Sequence, residues 1–164
     1  MKHVMVTGIL GIVLSVLGVP GAAAATTAFM IVPGISGDAT VVGYEHAIEV
    51  SSITQSFVAG SKVNGACTVS LSKPLDRSGP LLWAAAVTGQ VFSEIRIDIL
   101  KDGDIPLRFY TLTLTNASVV AITSSPNVLT DSLTLAGSSA TLSYYPQKPD
   151  GSLGPAITST VSCK

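Results

Sequence analysis

The sequence predicts a mainly β domain, a sandwich or barrel of short strands with one short α-helix, carried behind an export signal. Three observations lead there. Apolar and polar residues alternate in short runs at regular intervals, as in all-β sandwiches and barrels. One segment alone has both a start and a stop signal for a helix. The first 25 residues have the three-part pattern of a secretory leader.

The leader begins with the weakly basic Lys2 and His3. Residues 4–19 are apolar apart from small or mild residues, and Pro20-Gly21 breaks the run. Four alanines, Ala22 to Ala25, then offer the small side chains that a signal peptidase needs. A spanning anchor is the alternative, because residues 4–25 carry no charge. Pro20-Gly21 would break such a helix, and no basic cluster follows it. Cleavage is expected after Ala24 or Ala25, leaving Ala25 or Thr26 as the new N-terminus. No Cys sits near the cleavage point, so no lipid anchor is indicated, and no membrane association is expected once the leader is gone. The organisation expected is therefore a signal peptide, 1–25, and one domain, 26–164.

Removing 25 of the 164 residues leaves 139, enough for one hydrophobic core. Without Lys2, eight basic residues face ten acidic ones. No basic stripe exists for nucleic acid. Charged residues make up 12% of the chain, about half the usual share, and Ser, Thr, Ala, Val and Leu fill the gap. Such a surface suits β-sheet and is poorly protected by charge against association. Export places the two cysteines, Cys67 and Cys163, in an oxidising compartment. An even count with no CxxC and no histidine cluster reads as one disulfide and not as a metal site. Two free buried thiols or a link between subunits are the alternatives.

Strand follows strand. Residues 28–32 are a short apolar run stopped by Pro33-Gly34. Residues 44–57 alternate, with His46, Ile48 and Val50 on one face, and predict one long strand. Asn64-Gly65 is a turn, and residues 67–71 are the next strand. Ser78-Gly79-Pro80 opens the helix, residues 81–87 continue it and Gly89 stops it. That helix is apolar almost all round, so the sheet or another subunit must cover it. Ile95, Ile97 and Ile99 alternate with Glu94, Arg96 and Asp98, the cleanest half-buried strand in the chain. Further strands are expected over 107–115, 119–122, 129–135, 140–145 and 157–163, with turns at 101–104, Gly137-Ser138 and Asp150-Gly151.

Catalytic chemistry is not legible. His46 is the only histidine after the leader, and no second one exists for zinc. Glu45 and Glu49 lie near it, but neighbouring strand residues point to opposite faces, so Glu45 does not orient it. There is no Gly-x-Ser-x-Gly elbow, no P-loop and no Gly-x-Gly-x-x-Gly. Asp102 and Asp104 read as a turn before they read as a calcium site. Asn116-Ala117-Ser118 fits a glycosylation sequon. Tyr144-Tyr145 offers a sugar-stacking surface but more simply spans the two faces of a strand. No cofactor, no metal and no enzymatic activity are expected.

Three segments together resemble one known family. The strand from Ala47 to Phe57 is followed by Lys73-Pro74-Leu75-Asp76-Arg77-Ser78. A Leu-Leu-x-Ala-Ala helix leads through Gly89 to the strand over 92–101. Near the C-terminus comes Tyr144-Tyr145-Pro146-Gln147-Lys148-Pro149-Asp150-Gly151-Ser152, the most specific of the three. Their order and spacing are similar to those of the Hcp proteins, the tube subunits of type VI secretion systems. The resemblance covers about residues 28–161. It implies an antiparallel two-sheet β-barrel with one short helix at its side, hexameric rings that stack into a tube, and no enzymatic activity. The implied partners are copies of the chain itself and proteins of a secretion apparatus. The leader adds an expectation of export, to the periplasm or the outside of the cell. A monomeric exported binding module on the same fold, adhesin-like or ligand-binding, is the second reading.

Overall fold

The computed structural model describes residues 26–56, 67–103 and 106–163. The expected leader up to Ala25, the Asn64-Gly65 turn and Asp104 lie outside the described residues. In chain order the elements are β1 (Thr26–Ile31), β2 (Ile48–Val50), β3 (Ser52–Ser56), β4 (Cys67–Pro74) and α1 (Gly79–Thr88). There follow β5 (Val91–Lys101), β6 (Leu107–Ser125), β7 (Thr130–Gly137), β8 (Ser139–Tyr144) and β9 (Ile157–Ser162). A 3-10 turn, Pro126–Val128, joins β6 to β7.

Every ladder between these strands is antiparallel. The strand order is β2-β1-β5-β6-β7-β4-β3, with β8 added to β6 and β9 to β8. The two segments expected as separate strands, 107–115 and 119–122, form one strand, β6, of 19 residues. Its residues 110–115 pair with β8, and its residues 118–125 pair with β7. Between them Asn116 takes a positive φ of 45°, and the register with β7 shifts between Val119 and Ala121. An irregularity of this kind bends a strand and raises its twist. One strand thereby serves two neighbours.

The expected strand over 44–57 is broken. His46 has φ 66° and lies in a turn, not beside Ile48 and Val50 on a strand face. Beyond that turn the chain forms two short strands separated by Ser51 alone. β2 pairs with β1 and β3 pairs with β4. The Ser51 N–H donates to the Ser72 carbonyl at 2.8 Å. The two ends of the strand path therefore meet at one residue, which turns the corner between β2 and β3. Alternation alone cannot locate such a corner, because both halves keep period two.

The inner faces build the core. Met30, Ile48, Val69, Leu71, Ile95, Ile97, Leu112, Leu114, Val119 and Leu135 are all buried within it. Simple alternation puts the other face of β1 and β5 in solvent, yet Asp98 and Leu100 are buried there as well. The segment between β1 and β2 covers them. It places Ala39, Val41, Tyr44 and Ala47 on Phe29 and Leu100, with the Tyr44 and Phe29 rings stacked 4.7 Å apart. Gly37 makes the fit possible. A Cβ there would come within 2.4 Å of the Ala47 carbonyl oxygen and 2.7 Å of Ile48 Cα.

Cys67 and Cys163 are joined by a disulfide, with Cα atoms 5.5 Å apart. It ties the chain just beyond β9 to the start of β4.

Candidate assembly surface

α1 starts after Ser78 and ends at Gly89, whose left-handed φ of 65° suits a glycine cap. Ser78 sits at the N-cap position but does not cap with its side chain. Its hydroxyl instead donates to Asp76 Oδ1 at 2.5 Å, and its N–H to the same oxygen at 3.0 Å. This belongs to a buried polar cluster beneath the helix. The Lys73 side chain is 0% exposed, and its ammonium lies 2.7 Å from Asp76 Oδ1 and 3.0 Å from Asp131 Oδ2. It also donates to the Pro74 carbonyl at 2.8 Å. The Ser124 hydroxyl donates to Asp131 Oδ1, and the Trp83 indole N–H donates to the Ser124 hydroxyl at 3.1 Å. Lys73-Pro74-Leu75-Asp76 is thus the ionic anchor of α1. A cation buried among two carboxylates is costly to desolvate and holds only when each partner is satisfied.

The helix set on this anchor buries only one side. Leu82 and Ala85 enter the core, while Leu81, Trp83 and Val87 remain 50%, 44% and 80% exposed. The expectation that an all-apolar helix must be covered is met by the sheet on its inner face alone. Beyond the helix, Val91 at the start of β5 and Val120 at the β6 irregularity are exposed too. At the β6–β7 connection Val128 and Leu129 are also largely exposed. Leu129 has a φ of 52°, a region that favours glycine and asparagine. A branched side chain held there, with so little packing in its own subunit, is a candidate contact for something outside it.

A second surface is hydroxylated. Ser52, Ser72, Ser132 and Thr123 are successive register partners across β3, β4, β7 and β6. Thr54, Ser70 and Thr134 form a parallel row, ending on Ala121. Together they line a shallow open hollow of about 340 Å³ without a charged side chain.

The third feature is β9. All six of its residues are exposed, and it pairs with β8. The Tyr144–Ser152 segment, the most specific part of the family resemblance, is a structural loop between β8 and β9. The Ser152 N–H and hydroxyl both donate to Asp150 Oδ1, at 2.9 and 2.7 Å, and hold that carboxyl below its ordinary pKa. Gln147 accepts from Lys101 Nζ at 2.9 Å and donates to the Gly151 carbonyl at 3.1 Å. Tyr144 is half exposed, and Tyr145 has the Arg108 guanidinium 5.7 Å from its ring centre.

The residues with chemical potential are not brought together. His46 lies in its turn between β1 and β2. Asp102 accepts from the Thr27 hydroxyl at 2.8 Å. The Asn116 amide donates to the Ser138 hydroxyl at 3.3 Å. Among the described residues no group of three His, Cys, Asp or Glu side chains is placed to hold a metal ion, and no helix is long and apolar enough to cross a membrane. Sequence reasoning missed Asp98, which is fully buried. It accepts from Tyr44 at 3.0 Å and Thr111 at 2.8 Å, and pairs with Arg96 at 3.2 Å. Burial and the Asp98 charge push the Tyr44 phenol up to about 12. This cluster fastens the covering segment to β5, as the Lys73 cluster fastens α1.

Fold and surfaces together define a structural protein class, a small antiparallel β domain with one half-covered helix and its polar clusters engaged in holding the fold. The family description "Type VI secretion system effector, Hcp" matches residues 29–145, more than half of the chain. The chain belongs to the Hcp family. Among solved structures it is similar to Hcp1 of Salmonella typhimurium, with 21% identity and a TM-score of 0.71 over 84% of this chain and 94% of that one. Similarity to the secreted protein Hcp3 of Pseudomonas aeruginosa gives 17% identity and a TM-score of 0.66, over 85% and 99%. A type VI secretion effector of Yersinia pestis gives 15% and 0.67, over 82% and 98%. No curated protein matches the chain in sequence. The antiparallel β architecture with one helix at its side is the fold that these structures share.

Proposed function

We propose that this chain is a non-enzymatic Hcp subunit that is exported behind its leader and assembles with copies of itself into closed rings. The uncovered apolar side of α1, with Leu81, Trp83 and Val87 exposed, carries the reading. A helix that is apolar all round is stable in water only when both sides are covered, and its own sheet covers one. Head-to-tail contacts between identical subunits close into rings, and family membership supports the hexamer as the ring size. Few charges stand in the way of such contacts.

Light scattering and negative-stain microscopy on protein 26–164 test this. A hexamer-sized particle or rings are expected, and Leu81→Ser with Val87→Ser should reduce the particle to a monomer with unchanged circular dichroism. Mass spectrometry of the exported protein should find an N-terminus at Ala25 or Thr26. An intact Met1 on membrane-bound protein would refute export with cleavage. A monomer at high concentration would refute assembly. It would favour the second reading, a binding module, for which the hydroxyl rows of β3, β4, β7 and β6 are the specific support.

A further inference from the structure

We propose that the Cys67–Cys163 disulfide is a redox latch on β9, so that the closed form of the domain is confined to an oxidising compartment. The two ends of the bond sit in unlike surroundings. Cys67 is fully buried in the core at the start of β4. Cys163 is partly exposed and follows a strand that buries nothing of its own. Ile157 is 67% exposed and Val161 38%, and neither joins the core.

Apart from the disulfide, β9 is held by its ladder to β8, two hydroxyl pairs and one end contact. Thr141 meets Thr160 at 2.9 Å, and Ser143 meets Thr158 at 2.9 Å. The Cys163 N–H donates to the Ser138 carbonyl at 2.9 Å. All of these groups find equivalent partners in water, and β9 is an edge strand, paired on one side alone, that buries no apolar face. The disulfide fixes the far end of the strand to the core. With both ends held, β9 cannot leave β8 by fraying. Without the bond it opens as a local unit while the remaining strands stay paired.

The switch is chemically simple. A dithiol reductant attacks the sulfur of Cys163, the less buried of the two cysteines, and the S–S bond breaks with Cys67 as the leaving sulfur. The second reductant thiol then releases Cys163. The donor ends as its own disulfide, and both cysteines end as thiols. Opening uncovers the backbone edge of β8, Ser139 to Tyr144. An unpaired edge without charge or proline is a template for further strands. A reduced copy thereby presents the edge of β8 in place of the edge of β9.

Hydrogen exchange read by mass spectrometry on the folded, full-length mature protein tests the latch, before and after reduction with a dithiol and with Cys163→Ser. For a tether of the length between Tyr144 and Cys163, the chain-entropy model gives an open state roughly 100-fold more populated once the bond is gone. Exchange over β9 should rise by at least about ten-fold on this basis, while β5 and β6 amides stay as they were. Unchanged exchange at β9 would overturn the proposal, because the strand would then hold without the bond. A uniform rise over all strands would overturn it too, because the bond would then be a global staple. Cys67→Ser places a hydroxyl in the core and is open to misfolding, so reduction of the wild type and Cys163→Ser carry the test. Two alkylatable thiols in protein taken from its native compartment would also refute the latch. The readout is independent of ring formation, so its failure and that of the assembly proposal are separable.

Discussion

Replacing Lys73 with methionine keeps the apolar stem and removes the cation from beneath α1. Two carboxylates then remain in the site, Asp131 at 1% side-chain exposure and Asp76 at 9%. The local charge goes from −1 to −2 with no counterion. Removing one partner of a buried ion pair costs about 3–5 kcal/mol, because the survivors are left desolvated. Against a total stability of about 5–15 kcal/mol for a domain, that is a large share. With the usual entropy of unfolding at this size, it corresponds to a Tm lowered by roughly 10–15 °C. The protein supplies its own probe. Trp83 is the single tryptophan, and it is linked through Ser124 to Asp131. Urea denaturation followed by fluorescence therefore reports this cluster directly. The double variant Lys73→Met with Asp131→Asn removes one stranded charge and should recover about 1–3 kcal/mol relative to Lys73→Met, a coupling of the size found for residues in contact. A Lys73→Met protein within about 1 kcal/mol of wild type, or a double variant no better than the single, would refute the reasoning.

Two further outcomes concern the covering segment. The Tyr44 phenol titrates at about 12 in the folded protein against an ordinary value of 10.0, chiefly because of burial and then because of Asp98. Its stabilising contribution is complete below the unfolded value and is lost as pH rises from there through about 12. Wild type should lose stability over that alkaline range more steeply than Tyr44→Phe, as judged by denaturant midpoints across the range; parallel curves would contradict it. Gly37→Ala forces a Cβ against the Ala47 carbonyl and Ile48 Cα, and overpacking of this kind costs about 1–3 kcal/mol. Chemical denaturation measures it, and a neutral result would mean that the segment lifts without penalty.

The strands are legible wherever one face is buried and the other wet. Ile95 and Ile97 mark the core side of β5 through simple alternation, and Gly89 marks the helix end because only a left-handed residue closes it cheaply. Legibility fails where one pattern serves two environments. Residues 48–56 keep period two through a corner, so they read as part of a single long strand. Asp98 sits in register with Glu94 and Arg96 and looks like a solvent-facing position; its burial depends on a segment some 55 residues earlier in the chain, tied by the Tyr44–Asp98 bond. Lys73 reads as part of a family motif and not as a buried cation. Its two acidic partners come from the next turn and from its register partner on β7, Asp131. The candidate assembly surface is legible in outline, since one sheet covers only one side of an all-apolar helix. Which side stays bare depends on where the Lys73 cluster sets it.

The placement of charge bears on assembly. Residues 26–164 carry eighteen charged residues. Lys73, Asp76 and Asp131 meet beneath α1, and Arg96, Asp98 and Arg108 meet beneath the covering segment. A third of the charge is thus engaged in fastening two pieces of chain to the sheet. The outer surfaces of α1, β3 and β9 are left to apolar and hydroxyl side chains. Like-charge repulsion is the ordinary means by which soluble domains stay apart, and here it is weak. Bare valines on α1 and β5 and an unguarded strand edge would be a liability in a protein meant to remain alone. In a chain that closes on copies of itself, those features become the contacts. The same reasoning explains why a covalent tie at β9 matters: with so little charge to discourage wrong pairing, the strand edge that is presented has to be fixed by the fold.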